Sequence, residues 1–207
     1  MLQFITHTSD SEDYVGGAHA ALQGGCRWIQ LRMKDADDAE FISAGERLAT
    51  LCSSANATFI LDDRVHLVKH LKADGVHLGK NDMPIPEARK ILGEGYIIGA
   101  TANTIEDALD AVEKGADYIG VGPFRFTSTK RNLSPMLGIE GLKNIMKELR
   151  RFSDIPVVAI GGIEEEDIPL VMSSGVSGIA LSGAILRSPD PVAATASILK
   201  TLNNENK

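Results

Sequence analysis

The sequence predicts an α/β chain folded as a single (β/α)8 barrel, and three observations predict it. Eight short apolar runs of strand character alternate with eight helical patterns across 207 residues, within the length of about 200–250 residues expected of a compact barrel. One handover recurs four times: Gly25-Cys26-Arg27-Trp28-Ile29, Ala73-Asp74-Gly75-Val76-His77, Gly115-Ala116-Asp117-Tyr118-Ile119 and Gly175-Val176-Ser177-Gly178-Ile179 each pass a helix to a strand. Glycine suits that place because it tolerates the positive φ of a tight helix end. Finally, no Gly-x-Gly-x-x-Gly follows the first strand, which ranks a doubly wound open sheet below the barrel.

The elements follow in order. Leu2–Thr6 reads as the first strand, Tyr14–Gln23 as a helix closed by Gly24-Gly25, and Trp28–Leu31 as the second strand. A long helix spans Asp37–Ser54, with Phe41, Ile42, Leu48 and Leu51 as its apolar stripe. The third strand, beginning at Phe59, stops at Asp62-Asp63-Arg64. A helical pattern carrying Val65, Leu67, Val68 and Leu71 follows, and the fourth strand begins at Gly75. Pro86–Leu92 reads as a short helix and Tyr96–Gly99 as the fifth strand. Thr104, with Asp107 three residues on, signs a capping box for the helix running to Lys114. Tyr118–Val121 is the sixth strand. The stretch 122–138 has no period and exceeds the usual βα loop of about 2–6 residues. A helix over Ile139–Arg151, a strand over Pro156–Ile160, a helix over Glu164–Ser173, a strand over Gly178–Leu181 and a helix over Pro189–Leu202 complete the (β/α)8, or TIM, barrel. A polar tail, 203–207, is expected to fray.

Composition bounds the function. The chain is 43% hydrophobic and 24% charged, with a net charge of -7. It can bury a core, and it lacks the general positive surface that nucleic acid or an anionic membrane would attract. Cys26 and Cys52 have no metal or redox spacing and are expected to be reduced thiols of a cytoplasmic protein. The first residues have no basic n-region followed by an apolar segment, and no apolar run approaches the ~20 residues of a membrane span.

A barrel carries its chemistry on the loops after its strands. After strand two come Gln30, Arg32 and Lys34, which alternation puts on one side. Strand three supplies Asp62, Asp63 and Arg64; strand four, Lys80 and Asp82; strand five, Thr101 and Asn103. Strand six leads to Thr127-Ser128-Thr129-Lys130, strand seven to Gly161-Gly162, and strand eight to Ser182-Gly183. So many cations on one rim of an acidic chain suit an anionic ligand. Asp63 and Asp82, on adjacent strand ends, suit Mg²⁺, which takes one or two carboxylates together with water and phosphate oxygens. One of Asp62 and Asp63 is expected to cap the helix beginning at Arg64; Asp62 could equally accept from a substrate amine. Gly161-Gly162 and Ser182-Gly183 stand where barrels commonly bind phosphate with backbone N–H groups. The Thr127–Lys130 segment either closes over a second anion or is a plain surface loop. His66 and His70, four apart on the expected helix, read as a solvated face. His77 alternates within strand four and lines or packs the barrel. No Gly-x-Ser-x-Gly elbow and no Ser/His/Asp triad is recognisable.

At these motifs, over nearly the whole chain, the sequence resembles the thiamine-phosphate synthase (thiamine-phosphate pyrophosphorylase) family. The resemblance rests on Gln30–Lys34, Asp63-Arg64, Gly75–Gly79 with Asp82, Gly122-Pro123 followed by Thr127–Lys130, and Ile160–Ile163. It implies a cytoplasmic transferase that joins 4-amino-2-methyl-5-hydroxymethylpyrimidine diphosphate to thiazole phosphate and releases pyrophosphate. Its partners would be these small phosphorylated substrates. The resemblance also implies roles: Gln30, Arg32 and Lys34 hold the pyrimidine diphosphate, Asp63 and Asp82 bind Mg²⁺, and Thr101 and Lys130 contact the diphosphate. Arg32, Lys34 and Lys130 would stabilise the leaving charge. Thr127, Thr129, Gly161, Gly162, Ser182 and Gly183 belong to the thiazole-phosphate side. The chain departs from the family pattern at Asp62, where Asn is usual beside the pyrimidine, at Asn103 for a frequent His, and at Arg125-Phe126 for an apolar-Pro pair. The rival readings are a thiazole tautomerase-like barrel and a non-catalytic barrel that binds thiazole or thiamine phosphate as a regulator.

Overall fold

In the computed structural model, which describes residues 1–10, 12–126 and 135–205, eight parallel strands close into a barrel in sequence order. The strands are β1 (Leu2–Ile5), β2 (Trp28–Leu31), β3 (Thr58–Asp62), β4 (Gly75–Leu78), β5 (Ile97–Ala102), β6 (Tyr118–Val121), β7 (Val157–Ile160) and β8 (Gly178–Leu181). The ring is sealed where β1 pairs with β8, Leu2 opposite Ile179 and Phe4 opposite Leu181. The helices around it are α1 (Tyr14–Gln23), α2 (Asp38–Ser54), α3 (Ile85–Leu92), α4 (Ile105–Glu113), α5 (Gly138–Leu149), α6 (Ile168–Met172), α7 (Gly183–Leu186) and α8 (Pro191–Glu205).

Strand residues alternate between two cores. Leu2, Phe4, Ile29, Leu31, Phe59 and Leu61 face outward into the large apolar layer beneath the helices, while Ile5, Tyr118, Val158 and Ala180 form a small cluster inside the ring. With both faces covered, the strands read as nearly continuous apolar runs. The interior also takes polar side chains: Gln3, Gln30, Asp62 and His77 are all buried. Two glycines make room for them. A Cβ on Gly99 would overlap the Tyr118 ring, and one on Gly120 would stand 3.3 Å from His77 Cε1.

Four elements depart from expectation. The helix expected after Arg64 is a single 3-10 turn, Val65–Leu67, with no side-chain cap, so neither Asp62 nor Asp63 serves as a helix cap. Asp63 adopts the left-handed region (φ 57°), as does Lys72 (φ 53°), and the few residues between them turn the chain back before a full helix can grow. Its apolar residues are nevertheless buried as the pattern required. The helix expected over Glu164–Ser173 splits into a 3-10 turn, Glu165–Asp167, and α6. Pro169, lacking an N–H, can occupy only the first turn of a helix. Strand β5 runs on to Ala102 and so contains Thr101. Beyond β8 an extra turn, α7, precedes α8, which continues through Glu205 and so includes the first three residues of the polar tail. The Thr104–Asp107 capping box of α4 forms in both directions.

Candidate active site

The C-terminal ends of the strands surround a cavity of about 970 Å³, and a smaller chamber of about 70 Å³ lies among the side chains of the barrel interior. Arg32, Lys34, Asp82 and Thr101 line both. Gly161, Gly162, Ser182 and Gly183 line the large cavity; Gln30, Asp62 and His77 line the small one.

The end of β2 meets the end of β3 through charge. Lys34 Nζ lies 2.6 Å from Asp63 Oδ2 and 3.1 Å from Asp62 Oδ2, and Arg32 Nε is 3.7 Å from the same Asp62 oxygen. Gln30 donates from Nε2 to Asp62 Oδ1 at 2.8 Å. The alternating trio of β2 therefore converges on Asp62. The contacts to Asp62 Oδ2 are ion pairs without an aligned hydrogen bond, so that oxygen and Gln30 Oε1 are both buried acceptors without a hydrogen-bond partner. Such groups are costly unless something satisfies them.

One ammonium thus serves two carboxylates, and the consequences differ for the partners. Burial alone would lower the Lys34 value, but Asp62 and Asp63 outweigh it and hold the ammonium above its ordinary range. Asp63 is also pushed up, first by burial and further by the charges of Asp62 and Asp82, against the pull of Lys34. Burial and the neighbouring carboxylates thus disfavour the ionised form of Asp63. Arg64 Nε, 3.5 Å from Asp63 Oδ1, adds a peripheral contact. Asp82 closes the turn after β4 by accepting from the Gly79 N–H at 2.6 Å. Among the described residues, no three His, Cys, Asp or Glu side chains gather into a metal-binding group. His66 instead pairs with Asp38 at 2.8 Å.

On the opposite side, Gly161 (φ 100°) and Gly162 (φ 63°) have left-handed conformations. A Cβ on Gly162 would stand 2.5 Å from the Phe126 carbonyl oxygen. The Ser182 hydroxyl is buried without a hydrogen-bond partner beside this turn on the cavity wall. Arg125, which replaces an apolar residue of the expected pattern, donates to both carboxylate oxygens of Asp167 at 2.9 and 2.6 Å. Asp167 in turn accepts from the Glu164 N–H at 3.0 Å. The chain leaving β6 is thereby pinned to the chain leaving β7. Asn103 donates its side-chain N–H to the Gly122 carbonyl, and Lys80 pairs with Asp107 at 2.5 Å. Thr127, Thr129 and Lys130 lie outside the described residues.

The sequence pattern missed several wall residues. His7 and Tyr14 line the large cavity; the His7 value is lowered by burial and then by Arg32, favouring the neutral ring. Gln3 and Tyr118 sit beneath the chamber, joined by a hydrogen bond of 3.1 Å. Each alternates with outward-facing neighbours, Gln3 between Leu2 and Phe4 on β1 and Tyr118 before Ile119 on β6, and that alternation was the available signal.

Residues 2–185 match the family model described as thiamine monophosphate synthase. The chain is similar to a thiamine-phosphate synthase of Bacteroides fragilis, 57% identical over 96% of this chain and 98% of that protein. It is also similar to one of Flavobacterium psychrophilum, 46% identical over 92% of this chain and 93% of that protein. Among solved structures, a thiamine phosphate pyrophosphorylase from Pyrococcus furiosus superposes with a TM-score of 0.88 at 37% identity, covering 100% of this chain and 96% of that one.

Proposed function

The chain belongs to the thiamine monophosphate synthase family, and from that premise we infer that it is a transferase making thiamine phosphate from 4-amino-2-methyl-5-hydroxymethylpyrimidine diphosphate and thiazole phosphate. In this reading the bond between the pyrimidine's exocyclic carbon and the diphosphate oxygen breaks, its electrons leaving with pyrophosphate. The thiazole nitrogen then supplies the pair for the new C–N bond. No protein nucleophile is required, in keeping with the absence of a recognisable triad in the sequence.

The residues divide the work. Arg32 and Lys34 bind the diphosphate and balance the charge that develops as it leaves. Lys130 and Thr101 would join them. Asp62 and Gln30, whose unpartnered acceptors line the inner chamber, face the amino side of the pyrimidine and orient its ring. On the far wall, the backbone N–H groups of Gly161, Gly162 and Gly183 and the Ser182 hydroxyl hold the thiazole phosphate, with Thr127 and Thr129. Holding both substrates in line replaces an encounter in solution. Asp63 and Asp82 fit Mg²⁺, a cation that takes one or two carboxylates and fills its remaining positions with phosphate oxygens and water. When bound, the ion would neutralise the leaving diphosphate.

The observation that supports this reading most is the Lys34 bridge over Asp62 and Asp63, facing the two glycine turns across one mouth. Thiamine phosphate formation, measured with both substrates with and without Mg²⁺, tests it. Mg²⁺-dependent product is expected. No product from a chain that still binds thiazole phosphate would leave a phosphate-binding barrel and remove the synthase.

A further inference from the structure

Four side chains on four strands form a line from the barrel interior to the mouth. Gln3 Nε2 lies 3.1 Å from the Tyr118 hydroxyl, that hydroxyl 2.9 Å from His77 Nδ1, and His77 Nε2 2.9 Å from Thr101 Oγ1. Gln3, His77 and Tyr118 are buried, and Thr101 opens onto both cavities. Gly99 and Gly120 leave the space these rings occupy.

One donor sense of this line follows when it is read from its inner end. The Gln3 amide nitrogen can only donate, so the Tyr118 oxygen accepts from it. The phenol has one proton of its own, and His77 Nδ1 is the acceptor beside it. Burial pushes the Tyr118 hydroxyl far above its ordinary range, so the phenol keeps that proton. A neutral imidazole that accepts at Nδ1 carries its hydrogen on Nε2 and donates to Thr101 Oγ1. The Thr101 oxygen is then engaged as an acceptor, and its own O–H is free to point into the mouth.

We propose that His77 is a positioning residue, held in its Nε2–H tautomer by Tyr118 and Gln3, that commits the Thr101 hydroxyl to donate to an anionic oxygen of the bound diphosphate. The idea rests on the reading above for the identity of that anion, but the polarity of the line does not. A hydroxyl left free to rotate would present a lone pair to the anion part of the time; this one presents a proton before the ligand arrives, which is the preorganisation that favours binding and charge stabilisation.

Two measurements on the full chain test it. Long-range ¹H–¹⁵N correlation spectra report the protonated nitrogen of each imidazole, and His77→Gln assigns one signal set among the five histidines. A neutral Nε2–H ring is expected for His77; an Nδ1–H ring overturns the proposal regardless of any activity. Calorimetry with inorganic pyrophosphate and Mg²⁺ supplies the second readout. Thr101→Val should weaken binding about tenfold or more, the loss of a hydrogen bond to a charged group, whereas Thr101→Ser should stay within about threefold of the parent. Tyr118→Phe should spread His77 over both tautomers and weaken pyrophosphate in the same direction, while inorganic phosphate alone, a probe of the glycine-turn side, binds as before. Equal pyrophosphate affinity in Thr101→Val and the parent removes the role given to Thr101. Failure of the parent to bind pyrophosphate removes the proposed function along with that role, and the tautomer is judged separately by its spectrum.

Discussion

Asp62 and Asp63 are neighbours in sequence and opposites in environment. Asp62 is buried, takes a hydrogen bond from Gln30 and faces two cations; Asp63 turns outward through a left-handed backbone and shares its ammonium. Each faces two cations, Lys34 and Arg32 at Asp62 and Lys34 and Arg64 at Asp63, and at Asp63 burial together with the charges of Asp62 and Asp82 disfavours the ionised form. A divalent cation bound there would offset those carboxylate charges. Asp63→Asn is accordingly expected to lower turnover by about a hundredfold or more, the scale of losing a metal's charge stabilisation. Titrating Mg²⁺ against initial rate checks this, and equal activity of variant and parent at limiting Mg²⁺ would withdraw the metal assignment. At Gly162, positive φ and the close Phe126 carbonyl exclude a side chain together. Gly162→Val should raise KM for thiazole phosphate while leaving Mg²⁺-pyrophosphate affinity within about threefold, because the strain is confined to one wall. A matching loss at both ligands would mean that the two walls are not independent.

Whole elements show where local rules hold and where tertiary demands override them. Helix α4 begins as its sequence prescribes, with Thr104 and Asp107 capping each other's backbone. Burial alone would raise the Asp107 value, but the Lys80 ion pair and the N–H groups of Asn103 and Thr104 prevail and hold it low. A carboxylate depressed in the folded state stabilises the fold above its unfolded value of about 3.9, and that contribution vanishes as pH falls through the folded value. Between about pH 5 and pH 2 the parent should therefore lose more stability than Asp107→Asn in urea titrations; parallel pH curves would show that the cap carries no linked proton. The turn after β7 is less legible. Its helix splits at Pro169, and Asp167 is committed to Arg125 from a different loop. Removing the guanidinium by Arg125→Ala leaves a buried carboxylate with the Glu164 N–H as its remaining hydrogen-bond donor among the described residues. A loss of about 1–2 kcal/mol is expected, with a larger rise in KM for thiazole phosphate than for the pyrimidine diphosphate. Identical KM changes for both substrates would argue that this clamp does not serve the glycine turn.

At the scale of the molecule, closure is the governing event. Phe4, fully buried on β1, packs in the outer core on the strand that joins β2 on one side and β8 on the other. Phe4→Ala should cost about 3–5 kcal/mol, and urea curves followed by far-UV circular dichroism and by the single Trp28 should shift together. Separate midpoints would show that the barrel does not melt as one unit. The sequence by itself determined the alternation of strands and helices, the α4 cap, and the shared side of Gln30, Arg32 and Lys34. Each of these follows from a period of 2 or 3.6 residues or from a capping offset of three, all expressed within one short stretch of chain. Only the tertiary structure decided that Lys34 bridges two carboxylates 28 and 29 residues away, that Arg125 meets Asp167 across 42, and that Gln3 meets Tyr118 across 115. Those partners are set by strand register and by the curvature that brings the ring together, and neither is written in any local stretch. The motifs therefore showed which chemistry stands at the mouth, and closure of the barrel decided which charges face one another there.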